Sequence, residues 1–243
     1  MPIAELQPQH AAAIVARWRQ SYAKNTIHNR TKALRRILRE LAPLIAAQNL
    51  WQCVPKVGPA KPRQQTIAPE QRIALLRRVP QWMRLFILLC ADLAFRFAEA
   101  RTAPLEAYDR ERKTLTLKVK GGDTHTLPVT EELRAIIESI PPGQDTALPM
   151  LEILAGKPIR KHAILYEWRK ANLAAGLPAN LRPHDLRRTA ATNLWAITKD
   201  ARLVQQLLGH KSLHATARYI VDLTPTDLRP LLEALKPITD VKQ

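Results

Sequence analysis

The sequence predicts a mainly α-helical protein with a small antiparallel β-sheet. The 243 residues include only seven glycines and 5% aromatic residues, which argues against Gly-rich nucleotide-binding loops and a large β-sandwich. Apolar side chains in residues 27–47 recur at the 3.6-residue period of a helix. Residues 114–119, Thr-Leu-Thr-Leu-Lys-Val, alternate strictly between polar and apolar side chains, which is typical of a half-buried strand.

The distribution of charge predicts two parts. The net charge of +17 favours a polyanionic partner over a merely soluble basic protein. Residues 1–64 hold 11 Lys/Arg against 2 Asp/Glu, whereas the rest of the chain holds 27 against 19. A Pro- and Lys-rich segment at residues 55–69 predicts a stiffened linker. We therefore predict a short basic helical module with its linker at residues 1–64, followed by a larger domain at residues 65–243.

Two helices are predicted in the basic module, at residues 10–22 and 27–47, with Asn25 or Thr26 capping the second. The second helix has one apolar and one cationic face, so it can pack on protein and bind a phosphate backbone at the same time. A solvated face and a membrane-surface face are the alternatives. The side chains expected to contact DNA are Arg30, Lys32, Arg35, Arg36 and Arg39, together with Lys118 on the predicted strand.

The larger domain is predicted to be helical around one hairpin. The strand at residues 114–119 returns at 124–129 through Gly121 and Gly122. Helices are expected at residues 70–78, 81–93, from 96, 130–140, 159–175, 185–197, 200–208, 212–220 and from 226. Gly209 is a suitable C-cap for the helix before it. The last helix, with Leu228, Leu231, Leu232 and Leu235, fits packing on its own domain or on a neighbouring subunit.

Cysteine usage and hydropathy predict a cytoplasmic protein. Cys53 and Cys90 lack the spacing of metal ligands, and Cys90 lies in an apolar run that predicts a buried thiol. A protein without structural disulfides suits a reducing compartment. The N-terminus lacks the pattern of a signal peptide, and no apolar run approaches the ~20 residues of a membrane span.

Several residues suit phosphodiester chemistry without a metal. Such chemistry needs fixed cations for the charge on phosphorus, a nucleophile and a proton donor for the leaving oxygen. His184 and Arg187 lie three apart and share a helix face, although an ordinary surface pair has this spacing too. Arg96 follows an apolar run, and Glu99 can hold its side chain, as in a structural salt bridge.

Lys120, His210 and Tyr219 complete this set. Lys120 borders the hairpin turn, where a strand lysine ordinarily faces solvent. His210 directly follows Gly209 at a helix end, which predicts an exposed ring. Tyr219 lies nine residues later; an isolated helical tyrosine usually packs with its hydroxyl at the surface. A phenol with a pKa of about 10 is a poor nucleophile unless cations surround it, and the candidate Arg and Lys side chains supply such cations.

Taken together, residues 65–235 resemble the tyrosine recombinases, or phage integrase family. The resemblance rests on the order and spacing of four motifs: Arg96-x-x-Glu99, Lys120 at a Gly-containing hairpin, His184-Asp185-Leu186-Arg187, and Leu207-Leu208-Gly209-His210 with Tyr219. The chain has Leu93-Ala94-Phe95 where the family often has Thr-Gly-Leu, and Gly121-Gly122-Asp123-Thr124 is less basic than usual. The helical module is also shorter than the family's four- or five-helix bundle.

The resemblance implies a role for each matching residue. Arg96 and Arg187 would hold the non-bridging oxygens of the scissile phosphate, and His210 would hydrogen-bond the same group. Tyr219 would attack phosphorus and form a 3′-phosphotyrosyl intermediate. Lys120 would then protonate the departing 5′-oxygen.

His184 would assist proton transfer and phosphate binding, and Glu99 would act as a support. Because the protein–DNA bond conserves the energy of the phosphodiester, neither a metal nor a nucleotide cofactor is expected.

The resemblance therefore implies a site-specific DNA recombinase that works in DNA integration or recombination. It would act on double-stranded recombination sites, as a homotetramer, with accessory DNA-bending proteins as further partners and no membrane. A bacterial, nucleoid-associated location and a mobile genetic element as its host fit this function. The alternatives are a non-enzymatic DNA-binding relative with a reduced clamp, a type IB topoisomerase and a basic helical adaptor.

Overall fold

The computed structural model describes residues 5–44, 49–60, 65–118 and 122–217. The chain divides into two compact units, residues 1–63 and 64–243. None of the described helices is both long and apolar enough to cross a membrane. Whether the two units act as a DNA-binding module and a catalytic domain stays a prediction.

The first unit contains α1 (Pro8–Ser21), α2 (Lys24–Glu40) and a short α3 (Leu50–Cys53). Helix α2 ends before the predicted residue 47, and a 3-10 turn follows at Ala42–Leu44. The reason is Pro43, which lacks the N–H that an α-helix needs at that position and disfavours helical backbone in the residue before it. The predicted caps Asn25 and Thr26 are wrong, because the N-cap is Ala23.

Tertiary contacts explain why Asn25 is not a cap. Its side-chain oxygen accepts a hydrogen bond from the Ala60 backbone N–H at 2.7 Å. Nearby, the His28 ring Nδ1 lies 2.5 Å from the Val57 carbonyl oxygen, and therefore donates to it. Val54 is buried in the same apolar cluster as Val15, Ile27, Leu38 and Leu50. The first part of the predicted linker therefore packs on the first unit.

The second unit is built around α5. Seven of the eleven residues of this helix are buried, and it packs against α6, α7, α8 and α10. Its apolar run was predicted to be helical, and it is. The helices of this unit are α4 (Pro69–Leu76), α5 (Gln81–Ala91), α6 (Phe97–Thr102), α7 (Glu131–Glu138), α8 (Met150–Ala155), α9 (Lys161–Ala174), α10 (Pro183–Thr198), α11 (Ala201–Leu208) and α12 (Leu213–Thr216).

The β-sheet has three antiparallel strands in the order β1 (Tyr108–Asp109), β2 (Thr114–Lys118) and β3 (Thr124–Pro128). In the β2–β3 hairpin Leu115 pairs with Leu127 and Lys118 pairs with Thr124. Leu115, Leu117 and Leu127 are buried, as the alternation predicts. The small antiparallel sheet in a helical protein is thus confirmed.

Short elements were not predicted. They are α3, α8 and the two-residue strand β1, each of which has too few residues to show a period of its own. A 3-10 turn at Leu105–Ala107 precedes β1. Helix α12 is described from Leu213 to Thr216, so the end of the predicted helix 212–220 and the whole predicted helix from residue 226 lie outside the described residues.

Candidate active site

The Arg187 guanidinium lies at the centre of the candidate site. This residue is 2% exposed on α10. Its Nη1 donates a hydrogen bond to the Ala94 carbonyl oxygen, and its Nη2 donates to the Leu208 carbonyl oxygen at 2.7 Å. A buried guanidinium needs such acceptors, because an unpaired buried charge is costly. Arg187 therefore joins the turn that precedes α6 to the end of α11.

His210 lies directly beside this guanidinium. Its Nε2 is 3.2 Å from Arg187 Nη2, and its Nδ1 is 3.0 Å from Thr216 Oγ1. Arginine can only donate, so Nε2 is the acceptor in this contact and Nδ1 carries the hydrogen that is donated to Thr216. The left-handed Gly209 (φ 57°) ends α11 and turns the chain toward His210, as its C-cap position predicts.

Arg96 is the N-cap residue of α6 and is held by Glu99. The Glu99 carboxylate accepts from the Arg96 backbone N–H and from its Nη1, both at 2.7 Å. The carboxylate is 13% exposed and the Arg96 side chain 38% exposed. The expected contact between these residues is therefore present, and a cationic side chain remains accessible to an anion from solvent.

His184 lies in the first turn of α10 and is an exposed residue. Partial desolvation of its ring lowers its pKa below the ordinary value of 6.5, and the positive charges of Arg187, Arg188 and Arg96 lower it further. The neighbouring Asp185 carboxylate raises the pKa, by less than Arg187 lowers it. The ring is therefore neutral at pH 7 and can accept a proton or a hydrogen bond.

We expect the His184 ring to titrate by NMR with a midpoint below pH 6.5, and Arg188→Gln to raise that midpoint. Because the folded-state pKa is depressed, the unfolded chain binds this proton more readily than the folded protein. The contribution to stability is therefore fully present above pH 6.5 and falls as the pH drops toward the folded-state pKa. A midpoint above 6.5 would contradict this electrostatic description.

Ala94 has a backbone conformation that is unusual for a residue with a side chain. Its φ is +52°, in the left-handed region, and the residue is fully buried in a cluster with Ala191, Trp195 and Leu208. The carbonyl of this residue is the one that Arg187 binds. The strained turn thus aims an acceptor at the central guanidinium.

Substitution of Ala94 by valine is expected to lower the free energy of unfolding by about 2–4 kcal/mol, because a β-branched residue resists positive φ and overfills a packed core. Ala94→Gly is the matched control. It should stay within about 1 kcal/mol of the wild type, since relief of strain offsets the lost methyl contacts. Urea denaturation measures both, and an unchanged stability of Ala94→Val would contradict the assigned conformation.

The β2–β3 hairpin contacts the last turn of α11 at one point and the segment after that helix at another. The His125 Nε2 lies 2.7 Å from the Gln206 carbonyl oxygen, and the Lys211 Nζ lies 2.6 Å from Asp123 Oδ2. These contacts were not predicted. The one signal in the sequence was Asp123, an acidic residue in a hairpin that is usually more basic.

A groove of about 530 Å³ has His184 in its wall. Three exposed cationic side chains line it: Lys161 and Arg169 from α9, and Arg182 at the start of α10. Sequence reasoning did not single them out, because α9 shows no single cationic face. The groove places positive charge next to the proposed phosphate site in the second unit.

The predicted DNA-contacting arginines of α2 are only partly available. The Arg30 guanidinium lies 3.7 Å from the centroid of the Tyr22 ring, and Arg35 Nη1 donates to the Val54 carbonyl at 2.9 Å. Arg36 pairs with Glu40 in an exposed ion pair. Lys32 and Arg39 are exposed on the same helix, and Lys118 is exposed at the end of β2.

Two of the six predicted site residues, Lys120 and Tyr219, lie outside the described residues. Of the other four, the structure brings Arg187 and His210 into hydrogen-bond distance, and Arg96 is near enough to His184 to affect its pKa. Cys90 is buried, as predicted, and burial raises the pKa of its thiol. Within the described ranges, no three His, Cys, Asp or Glu side chains are grouped as a metal site would require.

The chain is similar in sequence to known recombinases. Residues 66–224 match the model of the phage integrase family. Tyrosine recombinase XerC of Brucella suis is 33% identical over 134 residues, which cover 51% of this chain and 40% of that protein. XerC of Agrobacterium fabrum is 35% identical over 125 residues, which cover 50% of this chain and 38% of that protein. The chain thus spans about two fifths of the length of these curated relatives.

Solved structures show the same fold. The Tn1549 transposon integrase, in complex with circular intermediate DNA, is 17% identical with a TM-score of 0.70, covering 96% of this chain and 86% of that chain. A lambda integrase dimer bound to a COC′ core site is 16% identical with a TM-score of 0.72, covering 93% and 83%. Because the family model matches well over half of the residues, this chain belongs to the phage integrase family, the tyrosine recombinases.

Proposed function

We propose that this chain is a site-specific DNA recombinase, which cuts and rejoins DNA through a 3′-phosphotyrosyl intermediate. The observation that carries the proposal is the buried Arg187 guanidinium, which contacts His210 and ties together the segments that bear Arg96 and His210. This arrangement gathers cations and hydrogen-bond donors where a single phosphate can meet them. The recombinase names of the relatives support the same reaction class.

Arg96 and Arg187 would hold the non-bridging oxygens of the scissile phosphate. The guanidinium fork matches two phosphate oxygens, and its charge offsets the negative charge that grows on phosphorus in the transition state. His210 would exchange its contact with Arg187 for one with the phosphate, in the tautomer that carries its hydrogen on Nε2, while the Thr216 hydroxyl donates to Nδ1. His184, neutral at pH 7, is suited to accept the proton of the attacking phenol.

In the proposed step, Tyr219 Oη forms a bond to phosphorus as the bond between phosphorus and the 5′-oxygen breaks. Lys120 would supply the proton that the departing 5′-oxygen takes up. The 5′-hydroxyl of a partner strand then attacks the phosphotyrosyl bond and frees Tyr219. Each bond broken is replaced by one of the same kind, so the chemistry needs no external energy source.

The predicted module at residues 1–64, which includes its linker, would bind DNA, and residues 65–243 would act as the catalytic domain. The exposed cations of α2, together with Lys118 and the groove that has His184 in its wall, would contact the phosphate backbone. We propose double-stranded recombination sites as the substrate and a homotetramer as the active assembly. Accessory DNA-bending proteins, a cytoplasmic location at the nucleoid and a mobile element as host belong to the same proposal.

A nicked suicide substrate tests this function. Duplexes made from the DNA that flanks the coding region are nicked close to candidate cleavage points, so that a short strand diffuses away and the covalent complex persists. We expect an SDS-resistant protein–DNA adduct, together with a released short strand whose new 5′-hydroxyl end can be labelled. DNA binding without any adduct across the flanking region would favour the non-enzymatic relative.

A supercoiled plasmid that lacks the DNA flanking the coding region distinguishes a site-specific recombinase from a type IB topoisomerase. A site-specific recombinase should leave this plasmid supercoiled at protein concentrations that give adduct on the flanking DNA. Efficient relaxation of the plasmid would favour type IB topoisomerase activity instead. A protein that neither binds DNA nor forms an adduct would be a basic adaptor.

A further inference from the structure

We propose that His125 is a positioning residue for DNA cleavage, which holds the β2–β3 hairpin against the end of α11 so that the proton donor on the hairpin meets the leaving oxygen. The contacts of His125 and the Asp123–Lys211 ion pair are together called the hairpin latch. The inference rests on the proposed function, because it assumes that Lys120 donates a proton to the 5′-oxygen. The latch itself consists entirely of described residues.

The central contact of the hairpin latch is a hydrogen bond across two elements. The Gln206 carbonyl oxygen, in the last turn of α11, lies 2.7 Å from His125 Nε2. A carbonyl oxygen only accepts, so His125 donates from Nε2. The same carbonyl oxygen also accepts from the Gly209 backbone N–H at 3.0 Å, so His125 adds a second donor, from the hairpin.

The His125 ring also packs closely on both candidate phosphate-binding segments. A Cβ added to Gly209 would lie 3.0 Å from His125 Nδ1, which is tighter than nine in ten real Cβ contacts. The Phe95 ring lies 6.4 Å from the His125 ring, centroid to centroid, in a tilted pair. Gly209 immediately precedes His210, and Phe95 immediately precedes Arg96. His125 therefore relates the hairpin directly to two of the proposed phosphate ligands.

The second contact, between Asp123 and Lys211, lies at the tip side of His125. The 2.6 Å ion pair is exposed, with 59% and 67% of the two side chains accessible, so it contributes little stability alone. The ion pair instead restricts the orientation of the hairpin. A hairpin held by one contact can rotate about it, and a second contact opposes that rotation. Lys118 and Thr124 form the last pair of the hairpin, and the connection between them carries both Lys120 and Asp123.

The chemistry of the leaving group distinguishes a misplaced proton donor from a general loss of activity. When the phosphorus–5′-oxygen bond breaks, the oxygen takes a proton from Lys120, and this transfer requires close alignment. If sulfur replaces the 5′-bridging oxygen, the bond breaks to give a stable thiolate that needs no proton. A variant that only misplaces the proton donor should therefore be slow on oxygen and nearly normal on sulfur.

The experiment measures the first-order rate of adduct formation at saturating protein, on a 5′-oxygen duplex and on a 5′-bridging phosphorothiolate duplex of the same sequence. We expect His125→Ala to be about 10²-fold slow on oxygen and within about threefold of wild type on sulfur. His125→Gln, which keeps a donor, should recover most of the rate on oxygen. The control Thr126→Ala, which removes a side-chain contact to Thr116 in the same hairpin, should be normal on both substrates.

Lys120→Ala separates failure of this inference from failure of the proposed function. If sulfur does not rescue Lys120→Ala, the assumed role of Lys120 is wrong. If sulfur rescues Lys120→Ala while His125→Ala stays equally slow on both substrates, the positioning role of His125 is overturned.

Should His125→Ala fail to fold, the charge-reversal variants Asp123→Lys and Lys211→Asp test the hairpin latch. Each single variant should be slow on oxygen and rescued by sulfur, and the double variant should regain its rate on oxygen. A double variant that stays as slow on oxygen as the single variants would overturn the proposal.

Discussion

Replacement of Arg187 by alanine is expected to lower the free energy of unfolding by about 3–5 kcal/mol and to abolish covalent attachment to DNA. The residue is 2% exposed, and its guanidinium donates to the carbonyl oxygens of Ala94 and Leu208. Its removal leaves both acceptors buried without this partner and opens a cavity beneath the site. The phosphate would also lose a positive charge that meets the developing transition-state charge.

Arg187→Lys refines this prediction. Lysine keeps the charge but lacks the planar fork that reaches two carbonyls at once, so we expect a smaller loss of stability and still a severe loss of cleavage. Urea denaturation and the suicide substrate measure the two effects separately. The control is Arg112→Ala, whose side chain is 83% exposed and whose loss should change stability by less than about 0.5 kcal/mol. A loss below about 1 kcal/mol for Arg187→Ala would show that its buried contacts are unimportant.

Local pattern was enough to predict much of the second unit. The alternation of residues 114–119 predicted both strand β2 and its buried face, and Gly209 predicted the end of α11. These features depend on residues close together in sequence. The contact between Arg187 and the Ala94 carbonyl spans 93 positions, and it depends on how α10 packs against the turn before α6. No period or cap in either segment contains that information.

The cationic face of α2 shows a similar limit of sequence reasoning. Counting charges made Arg30 and Arg35 equal candidates for DNA contact with Lys32. In the structure Arg30 stacks on the ring of Tyr22, just after α1, and Arg35 binds the backbone that follows α3. These partners come from segments whose packing the helical period does not specify. The two arginines stabilise their own unit. Arg39 also lies over the Trp51 ring, at 5.2 Å, so exposed Lys32 is the better candidate for a phosphate contact.

Tyr219→Phe is the second substitution for which a large effect is expected. The phenyl ring keeps the shape of the side chain and loses only the hydroxyl oxygen that would bond to phosphorus. We expect adduct formation on the suicide substrate to fall by at least about 10³-fold, with the affinity for uncleaved duplex and the midpoint of thermal unfolding close to those of the wild type. Gel-shift titration and thermal melts measure these two quantities.

Tyr166→Phe is the matched control, because Tyr166 is 66% exposed on α9 and lies outside the proposed site. It should form adduct at the wild-type rate, so that loss of a tyrosine hydroxyl alone does not explain the defect. Equal loss in both variants would point to a general effect on the protein. Adduct formed at a normal rate by Tyr219→Phe would mean that another nucleophile attacks the DNA. Arg96, Arg187 and His210 could then still bind the phosphate, but the 3′-phosphotyrosyl mechanism would have to be abandoned.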